Sequence, residues 1–269
     1  MKNNNLNNII INGDNMKIFK LSIENKLKEQ NNKIHDNSNK GFYLNFIVNK
    51  LEIRNLSFSK DKFCILKNIN ISAKIGDMVG IVAEKELEKN ILIKLLLKIY
   101  DSNPYNYALI DENENRLEGP EILNYIAYIP QTPQVINGTI IENIRDGNKN
   151  IRLETIEKTC NFVGVYEFIK KLPNGFESLL NAEYSAIPYN KIREIEIVKA
   201  ILKNVPIMII DKPNYPLNKE DKNIIEVIKK LSKNHIIFLV VYNDDIKKIC
   251  NKIINLDNLE NRKTFYEYI

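Results

Sequence analysis

The sequence predicts an α/β domain with a mainly parallel core sheet, and three observations carry that prediction. Short continuous apolar runs at residues 78–83, 207–210 and 236–241 suit strands buried on both faces. Segments with helical apolar spacing lie between them, such as the stripe Ile91, Leu92, Leu95, Leu96 and Ile99. Strands alternating with helices are the pattern of a parallel sheet covered by helices. With 269 residues the chain can bury a large core, enough for one domain of about 200 residues or more plus a tail.

Composition narrows the function classes. No apolar run approaches the roughly 20 residues that a membrane-spanning helix needs, and residues 1–15 show no signal-peptide pattern. Cys64, Cys160 and Cys250 have neither metal nor redox spacing, so they read as reduced thiols in or near the core. His35 and His235 are the only histidines, which argues against a histidine-rich metal centre or a Ser-His-Asp triad. The net charge of +5 comes from Lys spread along the chain without a clustered basic and aromatic face, so no nucleic-acid partner is expected.

Taken in order, residues 1–45 are rich in Asn and Lys and form an expected flexible N-terminal segment, with a weak amphipathic helix over 16–27 and a linker over 31–40. The folded domain is expected over 46–269. Alternating strands span 51–58 and 66–75, and the turn Gly76-Asp77 leads into strand 78–83. A charged turn from Glu84 to Glu88 precedes the helix carrying the Ile91 stripe, with Lys94 and Lys98 opposite. Further strands are predicted at 107–111, 125–129, 207–211, 236–241 and 252–256. Thr139 is a plausible N-cap for a helical turn at 140–144. One helix should run from 153 to 172, and another shows the stripe Ile192, Ile195, Val198, Ile201 and Leu202. A further helix carries Ile224, Ile225, Val227, Ile228 and Leu231, and a short one precedes the last strand. Ligands of such sheets sit at the carboxyl ends of the strands, which would gather Glu84 to Asn90, Gln131, Asp211, Lys212 and Tyr242 around one crevice.

Five stretches in this order resemble the ATP-binding cassette domain of ABC transporters of the exporter type. LEIRNLSFS at 51–59 is similar to the family's first strand, and ILKNINISAKIGDMVGIV at 65–82 to the run into its phosphate-binding loop. IAYIPQTPQVINGTIIENI at 126–144 resembles the Q-loop region, with Gln131 at the glutamine. LPNGFES at 172–178 resembles the approach to the signature motif, and IMIID at 207–211 the Walker B strand. The resemblance covers residues 51–258 and implies a P-loop NTPase-like fold, with an antiparallel β subdomain and a helical subdomain over about 135–200.

At the chemical positions the sequence departs from the family. The Walker A pattern G-x-x-x-x-G-K-[ST], aligned on Lys89, puts Ala83 and Glu88 where glycines give close approach and positive φ, and Asn90 where a hydroxyl holds Mg²⁺. The adenine-stacking aromatic falls on Lys60. The signature Leu-Ser-Gly-Gly-Gln falls on Ile187-Pro188-Tyr189-Asn190-Lys191. The Walker B carboxylate is kept as Asp211, but the following catalytic carboxylate is Lys212, which has the wrong charge for a general base. The D-loop matches only at Leu217, and the switch histidine falls on Tyr242. No catalytic residue and no metal site are therefore expected, and any residual nucleotide contacts fall to Lys89, Asn90, Gln131 and Asp211. Each has a plainer reading. Lys89 could pair with Glu86, Asp211 could neutralise Lys212 or meet Lys89, Gln131 could cap its loop, and Tyr242 could pack.

The implied function is that of a degenerate cassette, a pseudo-ATPase with no expected cofactor. Its partners would be another cassette, as homo- or heterodimer, and a membrane-spanning exporter subunit contacted through residues 126–144. Its place would be cytoplasmic, peripheral on the inner membrane face. One rival is a divergent but active exporter ATPase using ATP and Mg²⁺. The other is a free-standing scaffold.

Overall fold

The computed structural model describes residues 46–60, 63–100, 107–180, 187–211 and 221–257. The segment 1–45, Lys212 and the D-loop positions 215–218 lie outside the described residues. Strands β1 (Lys50–Lys60), β2 (Phe63–Lys74) and β3 (Met78–Val82) are followed by helix α1 (Glu86–Leu96). Then come β4 (Tyr107–Ile110), β5 (Arg116–Glu118), a 3-10 turn (Pro120–Tyr125) and β6 (Ile126–Ile129). The middle of the chain holds β7 (Gly138–Thr139), α2 (Ile140–Arg145), α3 (Leu153–Val163), α4 (Tyr166–Lys170), β8 (Leu179–Leu180) and α5 (Tyr189–Leu202). It closes with β9 (Ile207–Ile210), α6 (Asp221–Ser232), β10 (Ile236–Val240), α7 (Asp244–Ile249) and β11 (Lys252–Asn255).

The core sheet has the order β11-β3-β10-β9-β6, and every pairing in it is parallel. A second sheet, β2-β1-β4-β5, is antiparallel throughout. The fold is therefore α/β with an added antiparallel sheet, as the sequence predicts.

Side-chain alternation builds the layers. On β9 and β10, Ile207, Ile209, Ile236, Phe238 and Val240 face a cluster formed with α1 and the antiparallel sheet. Their neighbours Met208, Ile210, Ile237 and Leu239 face a second cluster with α2 to α6. A period of two thus gives each central strand two apolar faces, which is why these strands read as unbroken apolar runs. Gly80 is required at the centre of β3. A Cβ there would lie 2.8 Å from Ile253 Cδ1 and 2.9 Å from Val241 Cγ2.

Four local features differ from the sequence reading. The expected charged turn is only three residues long, because α1 starts at Glu86 and absorbs Glu86 and Glu88 into its first turn. The helix expected over 153–172 is two helices, broken where Gly164 adopts φ 94° and caps α3. Lys98, expected on the solvent side, is buried with its ammonium 4.4 Å from the Tyr107 ring. The third helix of that region, α5, buries Arg193, Glu194 and Glu196 as well as its apolar stripe.

Candidate functional site

Because the core strands are parallel, their carboxyl ends form one edge. On that edge lie the turn after β3, Asp211 after β9, Pro130-Gln131 after β6, Val241-Tyr242 after β10 and Asp257 after β11.

The turn after β3 is short and unstrained. None of residues 83–90 has a positive φ, so the chain does not form the glycine-type wrap that the Walker A alignment asks for. Instead it enters α1 directly, and Lys89 falls in the first turn and a half of the helix. Lys89 is buried, and its ammonium lies 3.1 Å from Glu86 Oε2. Of the two pairings the sequence leaves open for Lys89, the structure shows the one with Glu86 and not the one with Asp211; β10 stands between β3 and β9 and spaces them by roughly 10 Å. Asn90 is half-buried inside α1. The backbone N–H of Glu84 donates to the Asp257 carboxylate, 2.9 Å from Oδ1 and 3.0 Å from Oδ2.

The other end of the edge is organised by a residue that the sequence reading passed over, Arg193 of α5. Its guanidinium donates to the carbonyls of Pro130 and Asp211, the latter at 2.6 Å, and reaches the Gln131 carbonyl at 3.5 Å. Burial pushes its pKa down, and Tyr189, Glu196, Asp211 and Tyr128 push it back up. Asp211 Oδ2 accepts from the Tyr128 hydroxyl at 3.2 Å. Burial above all, and then the Asp211 charge, hold the Tyr128 phenol well above its ordinary range, so it remains a donor. Tyr189, in the signature position, donates its hydroxyl to the Gln131 carbonyl at 3.0 Å. Pro188 is the N-cap of α5 and contributes no N–H.

The structure thus joins Gln131, Asp211 and the signature segment by hydrogen bonds, while Lys89 and Asn90 follow β3, one strand further along the same edge. Tyr242 is half-buried against the helical cluster, a packing position. Lys60 is exposed at the end of β1, and near it Phe58 stacks on Tyr100 with ring centroids 5.0 Å apart. Sequence reasoning missed Arg193, Tyr128, Asn143 and Asp257. The side chain of Asn143 bonds the N–H and carbonyl of Ile136 and the carbonyl of Thr139, bracing the loop after Gln131. An Arg inside an apolar helix stripe was the one available signal. That signal is weak, because one apolar stripe predicts only one buried helix face, whereas α5 is buried on more than one.

Comparison with known proteins agrees with this architecture. The chain is 26% identical over 212 residues to a probable ABC transporter ATP-binding/permease protein of Haemophilus influenzae, covering 78% of this chain and 38% of that protein. It is 29% identical over 224 residues to the lactococcin-G-processing and transport ATP-binding protein LagD of Lactococcus lactis, covering 82% and 32%. Over about four fifths of its length the chain is thus similar to ABC transporter ATP-binding proteins. A third relative, the human ATP-binding cassette sub-family B member 5, is 26% identical over 224 residues, 81% of this chain and 18% of that protein. The chain therefore spans between about a fifth and two fifths of the length of these relatives. No family model matches it. Among the described residues, no helix is long and apolar enough to cross a membrane.

Proposed function

We propose that this cassette serves an exporter as a pairing and docking domain, without turning over ATP itself. The single observation that carries the reading is the turn after β3, where Lys89 is buried against Glu86 in a helix that begins before it. ATP and Mg²⁺ do not fit these residues well. Glu86 and Glu88 add two carboxylates to the first turn of α1, where phosphates would need positive potential. One carboxylate about 4 Å from a phosphate oxygen, at an effective dielectric near 20, costs on the order of 4 kcal/mol, or roughly a thousandfold in affinity. Asn90 offers no hydroxyl for Mg²⁺, and Lys212 follows Asp211 where a general base would stand.

The partners in this proposal are a second cassette and a membrane-spanning subunit, with the domain on the cytoplasmic side of the membrane. The loop braced by Asn143 is the docking surface, because residues 126–144 keep the family pattern best and Thr132, Ile136 and Asn137 are exposed. The domain in this proposal is 46–269, with the helical part at about 135–200.

A second reading, a divergent active ATPase, is favoured by the carboxylate kept as Asp211 after β9 and by relatives whose names say ATP-binding. Calorimetry of the full chain with ATP, with and without Mg²⁺, separates the two. The proposal expects no saturable heat at millimolar nucleotide. A Mg²⁺-dependent Kd below about 100 μM, some 5.5 kcal/mol or more of binding free energy, would promote the second reading. Lys212→Glu alone is expected to leave ATPase activity at background, because it restores a base beside a site that holds no nucleotide.

A further inference from the structure

The geometry points to Asp257 as a built-in anion that closes the turn leading into α1. A strand-to-helix turn presents backbone N–H groups and the positive end of the helix dipole, so it attracts negative charge. In this chain one N–H of that turn, that of Glu84 just before the N-cap Lys85 of α1, is already taken by both oxygens of the Asp257 carboxylate, at 2.9 and 3.0 Å.

The carboxylate arrives on a strap fastened along its whole length. β11 pairs in parallel with β3 from Lys252 opposite Val79 to Asn255 opposite Val82, and the Leu256 N–H continues the ladder to the Val82 carbonyl at 2.9 Å. At the start of the strap, the Lys252 ammonium lies 2.7 Å from Asp77 Oδ2. The Asn251 side chain bonds the Met78 N–H at 2.8 Å and Asp77 Oδ1 at 2.9 Å. At its end, the Asp257 N–H donates to Asn255 Oδ1 at 2.8 Å, which turns the Asp257 side chain toward Glu84. The strap thus holds its carboxylate on the turn at a high effective concentration. An outside phosphate must displace Asp257 before it can use the Glu84 amide.

This inference rests on the reading that the cassette does not bind ATP, and names the residue that excludes phosphates. The test follows the Glu84 amide of the ¹⁵N-labelled full chain by NMR during titration with inorganic pyrophosphate. Wild type, Asp257→Ala and Asp257→Asn are compared, the last keeping an acceptor without the charge. The expected result is a Glu84 response in Asp257→Ala at least tenfold lower in pyrophosphate than in wild type, with Asp257→Asn between them. Equal responses, including silence in all three proteins, overturn the role of Asp257 and leave the non-binding reading standing. A wild-type response at micromolar pyrophosphate overturns both. Should Asp257→Ala fail to fold, the comparison of Asp257→Asn with wild type decides in the same way.

Discussion

Lys89 and Glu86, three residues apart in the first turns of α1, form an ion pair with 3.1 Å between the ammonium and carboxylate. The lysine side chain is nearly enclosed while the glutamate is half exposed. Glu86→Gln leaves an ammonium under cover without its counter-charge, and is expected to lower stability by about 1 kcal/mol. Lys89→Met keeps the apolar stem and removes the charge, so it should unfold at nearly the wild-type urea midpoint. If Lys89→Met instead abolished a measurable nucleotide affinity, the lysine would be a phosphate ligand after all.

Arg193 joins two strand-end loops, and its removal should be costly. Arg193→Ala leaves the carbonyls of Pro130 and Asp211 without the guanidinium donor they share. Each buried acceptor so stranded costs about 1–3 kcal/mol, so a loss of about 3 kcal/mol or more is expected in denaturant unfolding. Arg193→Lys should rescue little, because one ammonium cannot span both loops. A loss below about 1 kcal/mol would show that the loops are held by other contacts.

Glu52 predicts an acid limb in stability. Bonds from Lys50 first, and from Arg54 and Arg116, hold its carboxyl at about 2 against an ordinary value of 4.5. A depressed folded-state pKa contributes stability that is fully present above the unfolded value and fades as pH falls through the folded one. The stability gap between wild type and Glu52→Gln should therefore be full at pH 7, shrink below about pH 4.5 and close near pH 2. A gap independent of pH across that window would exclude the charge as its cause. Thermal melts at a series of pH values make the comparison.

Gly80 is expected to tolerate no side chain. Gly80→Val would press β3 against Ile253, Val241 and Cys250, for a cost of about 1–3 kcal/mol or more. The same shift would loosen β11 and with it the Asp257 contact, so hydrogen exchange at Glu84 should quicken. Unchanged exchange would show that the end of the strap holds independently of its middle.

Much of the fold was legible in the residues. The buried runs at 207–210 and 236–240 are apolar at every position because each strand packs on two layers. Thr139 was legible as an N-cap, and the structure adds Glu142 as the other half of a capping box. Gly164 is not legible as a helix end, since buried apolar spacing runs through it from Cys160 and Val163 to Val165 and Ile169. Of the candidate site, the order Lys89, Gln131, Asp211 and Tyr242 was readable, because motif spacing follows the chain. Their place on one edge of the sheet was readable too, but their pairing was not. Lys89 separates from Asp211 because strand order places β10 between them.

By itself the sequence determined the local periodicities, the order of strands and helices, and the residue types standing at each motif position, because these depend on neighbours a few residues apart. Tertiary structure alone decided three things. It set the start of α1 at Glu86, where helix hydrogen bonds form more readily than a loop of non-glycine residues in positive φ. It buried Arg193, Glu194 and Glu196, because α5 is packed against other elements on more than one side. It also brought Asp257 to the Glu84 amide across 173 residues of chain. That pairing exists only because β11 lies beside β3, and strand neighbours are chosen by packing across the whole sheet.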